Sequence, residues 1–120
     1  MNNEFTHQVI DEDGYVSPKA LADQFHTTIK ELSHLTGLSI NILSKKARAH
    51  SKISQIRLRE TVEIINRVTP WCGNVFQAYA WYRSEPLPSF GDLTAEDLVK
   101  NGKAEAIKRY IERIAEGGYA

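Results

Sequence analysis

The chain has 120 residues with 15 Lys or Arg against 15 Asp or Glu, so its formal net charge at pH 7 is zero, and 42% of its residues are hydrophobic. This length suits one domain or two small lobes, and four prolines and seven glycines are too few for a disordered or fibrous chain. With no long apolar run and one cysteine, the sequence predicts no transmembrane helix, secretory signal, disulfide framework or thiolate metal cage, and a cytoplasmic location.

The first third of the chain predicts short helices after a polar start. Residues 1–15 are polar and acidic, which indicates a loosely ordered segment. Ser17 and Pro18 have the pattern of an N-cap followed by a proline in the first helical position. A capping box over 28–31 predicts the start of the next helix, and Gly37 predicts its left-handed C-cap.

Residues 28–35 and 39–48 have the proportions of the two helices of a helix-turn-helix. On a continuous second helix, Ile40, Leu43 and Ala47 fall on one side, where they can pack on the preceding helices. The opposite arc is polar and basic, and such side chains can reach bases and phosphates in a major groove. The residues predicted to contact DNA, including the N-cap serine, are Ser39, Asn41, Ser44, Lys45 and Arg48.

The charge distribution bears on this interpretation. Residues 28–67 hold eight bases against three acids, which leaves +5, whereas residues 1–27 hold one base against five acids. A basic stretch favours contact with nucleic acid, but the neutral whole weakens that inference because affinity rests mainly on neutralised phosphates. A symmetric dimer would supply two such helices. A plain helical hairpin with a polar outer face is the alternative.

The second half of the chain predicts four further helical segments. A broad helical pattern runs from Lys52 to Val68 and ends because of Pro70. Its apolar residues form two faces, one of Ile53, Ile56, Ile64 and Val68 and the other of Leu58, Val62 and Ile65. Residues 73–82 predict a helix that is apolar nearly all round.

An elbow and two helices follow. Pro86 and Pro88 predict an extended elbow. Thr94 and Asp97 predict a capped helix, and a last helix carries an apolar stripe composed of Ala104, Ile107, Ile111 and Ile114. Because few alternating strand patterns occur, we predict an all-α protein.

The sequence shows no catalytic constellation. His7, His26, His34 and His50 lack the i, i+4 spacing of a metal-binding helix, and no nucleophile elbow, phosphate loop or dinucleotide fingerprint is present. Cys72 lies near a predicted helix start, which would lower its pKa, but a structural cysteine is the preferred interpretation. We predict a protein that is not an enzyme and that needs no cofactor or metal.

Several segments of the C-terminal half form a set. They are 58–68 (LRETVEIINRV), 80–81 (AW), 86–91 (PLPSFG), 94–99 (TAEDLV) and 111–120 (IERIAEGGYA). Over roughly residues 51–120 this set resembles the toxin-binding domain of the Xre/MbcA/ParS antitoxin family, and the helix-turn-helix-like lobe precedes it in the same order as in that family. Ala95 is a departure, since the family usually has proline in the first turn of that helix.

The resemblance implies a type II toxin–antitoxin system whose toxin carries a RES domain and consumes or transfers from NAD. Residues 51–120 would neutralise that toxin by blocking its active-site cleft. Residues 1–50, packed on this domain, would bind operator DNA and dimerise, so that a homodimer sits within a larger toxin–antitoxin complex. The residues expected to contact the toxin are Trp81, Arg83, Pro86, Pro88, Gly117, Gly118, Tyr119 and Ala120.

The residue types of the C-terminal half are compatible with such contacts. Trp81 offers a large contact area but is equally suited to the core, and core is favoured for Phe90. Glycines 117 and 118 would release Tyr119 and Ala120 into the toxin cleft, where a terminal carboxylate could meet a base; a frayed tail is the alternative. Two other functions stay open: a stand-alone helix-turn-helix regulator whose C-terminal half only dimerises, and a structural adaptor without DNA contact.

Overall fold

The computed structural model describes residues 4–117, and over this range the chain is all-α, as predicted. The helices are α1 (Glu4–Val9), α2 (Pro18–Gln24), α3 (Ile29–Thr36), α4 (Ile40–Ser44), α5 (Lys46–Ala49), α6 (Lys52–Cys72), α7 (Val75–Ser84), α8 (Ala95–Lys100) and α9 (Ala104–Ala115). The chain forms two compact units that divide between Val62 and Glu63, so α6 contributes to both. The predicted functional boundary, between residues 50 and 51, lies just before α6 begins.

The predicted helix starts are confirmed by their caps. In Ser17, Thr28, Ser39 and Thr94, the side-chain oxygen accepts a hydrogen bond from the backbone N–H three residues later, at 3.1 to 3.2 Å. Thr94 belongs to a complete capping box, because Asp97 Oδ2 also accepts from the Thr94 N–H at 3.1 Å. The predicted C-cap is confirmed as well, since Gly37 ends α3 with a φ of 77°.

The N-terminal segment is helical where loose order was expected. Phe5 and Val9 of α1 are buried, and the Phe5 ring lies 5.8 Å from that of Phe25. Burial of these apolar side chains stabilises a segment whose overall composition is polar. The expectation for residues 1–15 is therefore not met from Glu4 onward.

A buried amide joins three parts of the first unit. Gln55 of α6 is only 6% exposed. Its Oε1 accepts from the Val16 N–H at 2.8 Å, and its Nε2 donates to the Val16 carbonyl at 3.0 Å and to the Ala49 carbonyl at 2.9 Å. This side chain therefore holds the segment before α2 and the end of α5 against the start of α6.

The helix α6 runs past Pro70 to Cys72, so its predicted end at Val68 is wrong. Proline removes one intrahelical hydrogen bond, but here only two helical residues follow it, and the loss falls in the last turn. The chain leaves the helix at Gly73, whose φ is 105°. Such a conformation is easily adopted by glycine.

The prediction that Ile53 and Ile56 belong to a buried apolar face of α6 is also wrong. Ile53 and Ile56 are 78% and 48% exposed, because these turns bury Ser54, Gln55 and Leu58 instead. The remaining predicted apolar residues of α6 are buried, namely Leu58, Val62, Ile64, Ile65 and Val68.

The second unit packs α7 against α8 and α8 against α9. Tyr82, Leu98 and Ile107, one from each helix, are almost completely buried. The predicted stripe of α9 is buried through Ile111, whereas Ile114 is half-buried. This unit therefore has a core of its own.

Candidate partner-binding surfaces

The predicted DNA-recognition helix over 39–48 is not continuous, and that prediction is wrong. The helix α4 ends at Ser44. The next residue, Lys45, is extended with φ −105° and ψ 116°, and α5 begins at Lys46. Leu43 and Ala49 are both buried. On one continuous helix these two residues would lie about 120° apart, so the break at Lys45 lets both side chains enter the core.

All five predicted DNA contacts are exposed, but they do not share the predicted arc. Asn41 and Ser44 lie on α4 after the Ser39 cap, Lys45 lies in the break and Arg48 lies on α5. The predicted packing face is also wrong, because Ile40 and Ala47 are exposed while Leu43 is buried.

Some basic side chains of residues 28–67 form hydrogen bonds within the fold, and others are exposed to solvent. The number of bases in the sequence does not distinguish the two groups. Arg57 donates to the Thr36 carbonyl at 2.6 Å, and Arg59 donates to the Gly14 carbonyl. Four other bases are exposed and close together in the chain, and we call them the basic strip: Lys45, Lys46, Arg48 and Lys52. They remain accessible to a partner.

A second surface lies on the C-terminal unit, where a groove of about 350 Å³ runs along one face of α7. Its lining residues are Cys72, Gln77, Ala80, Trp81, Ser84 and Glu85, and we call it the α7 groove. Phe76 precedes Ala80 by one turn and lies on the same arc of α7. Phe76 and Trp71 are each 45% exposed. This face of α7 therefore combines aromatic area from Phe76 and Trp81 with a few polar groups.

The predicted toxin contact Trp81 lines this groove and is half-buried, which fits both interpretations of its role. The fully buried aromatic residue of α7 is its neighbour Tyr82. Sequence reasoning did not single out Trp71, Phe76 or Glu85. Their apolar or charged character was visible, but their exposure depends on which faces of α6 and α7 are covered.

The predicted contacts Pro86 and Pro88 are exposed, and the residues before them, Glu85 and Leu87, are extended as predicted, but the chain then turns back on itself. Leu87 is buried between them, and its N–H donates to the Leu93 carbonyl at 3.0 Å. A 3₁₀ turn over Pro88–Phe90 brings these two residues together. The Phe90 ring then packs edge-on against Tyr110, with centroids 5.6 Å apart.

Arg83, another predicted toxin contact, has a clear place within the fold. Its Nε donates to Glu96 Oε1 at 2.8 Å, and Lys100 Nζ donates to Glu96 Oε2 at 3.0 Å. The Glu96 side chain is 10% exposed. Arg83 therefore joins α7 to α8, whatever else it contacts.

The predicted C-terminal contacts are described only at their first residue. Gly117 follows α9 with a φ of 91°, and its N–H donates to the Ile114 carbonyl at 3.0 Å. Gly118, Tyr119 and Ala120 lie outside the described residues. Their contacts with a toxin stay predictions.

Cys72 is the last residue of α6 and precedes Asn74, the N-cap of α7, by two residues, so it lies near a helix start as predicted, but its pKa is not lowered. Burial, with a smaller contribution from the Glu85 carboxylate, raises the pKa of the Cys72 thiol. A thiol with a raised pKa is neutral at pH 7 and a poor nucleophile.

Residues 4–117 offer no group of three or more His, Cys, Asp or Glu side chains placed to hold a metal ion. Over the same range, no helix combines the length and the apolar character needed to cross a bilayer.

Neither the protein-family models, the curated proteins nor the solved structures contain a match to this chain.

Proposed function

We propose that the chain is the antitoxin of a type II toxin–antitoxin system and that its C-terminal unit neutralises a RES-domain toxin by blocking the active-site cleft. The observation that carries the proposal is the exposure of Trp71 and Phe76 on α6 and α7, the two helices that also supply residues to the α7 groove. Exposed aromatic area of this kind is typical of protein interaction sites, because rigid rings bury much surface at low entropy cost. The surface lies within the part of the sequence that resembles the toxin-binding domain.

Inhibition of this kind requires binding alone. A segment that fills the cleft excludes NAD, so the antitoxin needs no catalytic group of its own. The elbow at Pro86 and Pro88 is exposed and pinned by the Leu87–Leu93 bridge, so it can meet a partner with little loss of entropy. Trp81 and residues 117–120 supply the remaining proposed contacts.

Removal of residues 118–120 should weaken neutralisation of the toxin by about tenfold or more while the fold is retained. The buried residues of α9 end at Ile111, so the truncated chain keeps its core. Growth of cells that express the RES-domain toxin together with either version of the chain measures neutralisation, and thermal unfolding checks the fold. Tyr119→Phe, which keeps the ring, is the matched control. Full protection by the truncated chain would refute insertion of this segment.

We also propose that the first unit binds operator DNA as a homodimer, so that the complex represses its own operon. The basic strip and the neighbouring Asn41 support this proposal, since both are exposed. Lysine and arginine neutralise phosphates, and asparagine can pair with adenine. A dimer doubles the number of phosphate contacts, which offsets the neutral charge of the whole chain.

The double substitution Asn41→Ala with Lys45→Ala should lower operator affinity by about tenfold or more in a gel-shift assay. Both side chains are exposed, so stability should change by no more than about 0.5 kcal/mol. Asn101→Ala with Lys103→Ala, an exposed pair of the same types in the second unit, is the control. If Asn41→Ala with Lys45→Ala leaves the gel shift unchanged, then Asn41 and Lys45 do not contact DNA and α4 is not part of the DNA interface.

The main alternative is a stand-alone helix-turn-helix regulator whose C-terminal half only dimerises. The cap of α3 at Gly37 and the start of α4 at Ser39 favour this candidate as much as the first. A neighbouring reading frame for a RES-domain protein would favour the antitoxin, since a stand-alone regulator needs no toxin. Failure of the unaltered chain to bind its promoter would instead favour an adaptor without DNA contact.

A further inference from the structure

We propose that the α7 groove receives an arginine or lysine side chain of the partner protein, with its cation held between the Glu85 carboxylate and the Trp81 ring. This inference rests on the proposed function, because it names the chemistry that the toxin would present at this surface. Trp71 and Phe76 would contact apolar residues flanking that cation.

Glu85 provides the charge of the groove. Glu85 is the one acidic or basic residue, cysteine apart, among the residues that line the groove. Glu63 and Glu96 of the second unit are paired with Arg67 and Arg83, whereas no salt bridge within residues 4–117 involves Glu85. A partner cation would therefore meet a carboxylate that forms no salt bridge with residues 4–117.

The remaining lining residues suit a cation better than other occupants. Tryptophan has the most favourable ring face for a cation, and the Ser84 hydroxyl and Gln77 carbonyl oxygen can accept further N–H groups. An apolar side chain would leave these polar groups desolvated without partners, and an acidic one would be repelled by Glu85. The raised pKa of Cys72 keeps a second anion out of the groove.

The second unit contains an internal example of the same arrangement. The Arg83 guanidinium lies 5.8 Å from the centroid of the Tyr79 ring, and its Nε donates to the Glu96 carboxylate. There an aromatic ring and a carboxylate together hold one arginine. Trp81 of α7 and Glu85, the C-cap of that helix, offer the same pair of groups to a cation from outside. They lie one turn apart, because the Glu85 N–H donates to the Trp81 carbonyl at 3.0 Å.

Titration of the whole chain with N-acetyl-arginine amide, followed by NMR, tests the groove without any toxin. The indole N–H of Trp81 and the amides of Ser84 and Glu85 should shift, and Glu85→Gln should abolish that response. N-acetyl-glutamine amide, which is neutral, should cause no comparable shifts. Equal shifts from the two amides, or a response that survives Glu85→Gln, would overturn the inference.

Calorimetry with the RES-domain toxin from the adjacent reading frame tests the same group in the complex. We expect Glu85→Gln to weaken binding by about tenfold and Glu85→Lys by about a hundredfold, because a like charge then faces the cation. Glu12→Gln, an exposed acid of the first unit, should leave the affinity unchanged.

The two proposals fail in different ways. Toxin binding that is unaffected by Glu85→Lys would overturn the inference and leave the proposed function in place. No binding by the unaltered chain would reject the proposed function, and the amide titration would then decide the inference about the groove.

Discussion

Replacement of Gln55 with leucine should lower the free energy of unfolding by about 3 kcal/mol. The substitution keeps the approximate size of the side chain but removes three hydrogen bonds to the backbone of Val16 and Ala49, both of which are almost completely buried. A buried N–H or C=O that loses its partner costs about 1–3 kcal/mol, because water cannot replace the bond. Urea denaturation followed by circular dichroism measures the change.

The control for this prediction is an exposed glutamine of the same unit. Gln8 is exposed, and its side-chain hydrogen bond to Glu4 is long, at 3.5 Å, so Gln8→Leu should change stability by no more than about 0.5 kcal/mol. If Gln55→Leu is as mild as Gln8→Leu, the amide does not hold the start of α6 to α5 in the way we describe.

Replacement of Glu96 with leucine should lower the free energy of unfolding by about 2–3 kcal/mol. Its carboxylate, 10% exposed, is bonded to both Arg83 and Lys100. Without this carboxylate, the charged groups of Arg83 and Lys100 stay close together and partly buried with no anion between them. This costs less than a fully buried unpaired charge but still destabilises the fold. The same denaturation experiment measures the loss.

A double-mutant cycle separates the ion pair from the general effect of substitution. Arg83→Met should also destabilise the chain, but Arg83→Met combined with Glu96→Leu should cost less than the sum of the two, because an apolar pair replaces the ionic one. Strict additivity would mean that Arg83 and Glu96 are not coupled. Glu105→Leu, an acid on the surface of α9, serves as the mild control.

This second prediction also affects how binding data on Arg83 are interpreted. Because Arg83 joins α7 to α8, loss of neutralisation in an Arg83 variant can arise from a weakened fold. A loss of neutralisation would indicate that Arg83 contacts the toxin only if the Arg83 variant unfolds with an unchanged free energy. Glu85, which has no such structural partner in residues 4–117, is the cleaner probe.

The caps were predictable from the sequence because they depend on residues within one turn. The side chains of Ser17, Thr28 and Thr94 each accept a hydrogen bond from the backbone N–H three positions later. Such caps can therefore be predicted from a few adjacent residues. Gly37 is similar, since a left-handed C-cap favours glycine wherever it occurs. Fold class followed from these signals together with the helical spacing of apolar residues.

The break at Lys45 was not predictable in this way. Lysine is a good helix former, so nothing local argues against a continuous helix over 39–48. The break is favoured by tertiary contacts. Leu43 before it and Ala49 after it are both buried, and Gln55 Nε2 donates a hydrogen bond to the Ala49 carbonyl. Those contacts involve residues that are distant in sequence.

The candidate site was predictable only in part for the same reason. Residues 73–82 are apolar nearly all round, so their sequence cannot say that Tyr82 is buried while Phe76 is exposed. The α7 groove exists because the end of α6 and one face of α7 are left uncovered together. Trp81 was identified by residue type, whereas Glu85 acquired its importance only from its place beside Trp81.

The most direct test of the account is whether the purified chain forms a complex with the product of the adjacent reading frame, which the proposed function predicts to be a RES-domain protein. Equimolar mixtures should elute from a size-exclusion column as one complex that contains both proteins, and the complex should be lost when Phe76 and Trp71 are both replaced by serine. Separate elution of the two unaltered proteins at micromolar concentration would contradict the proposed antitoxin function.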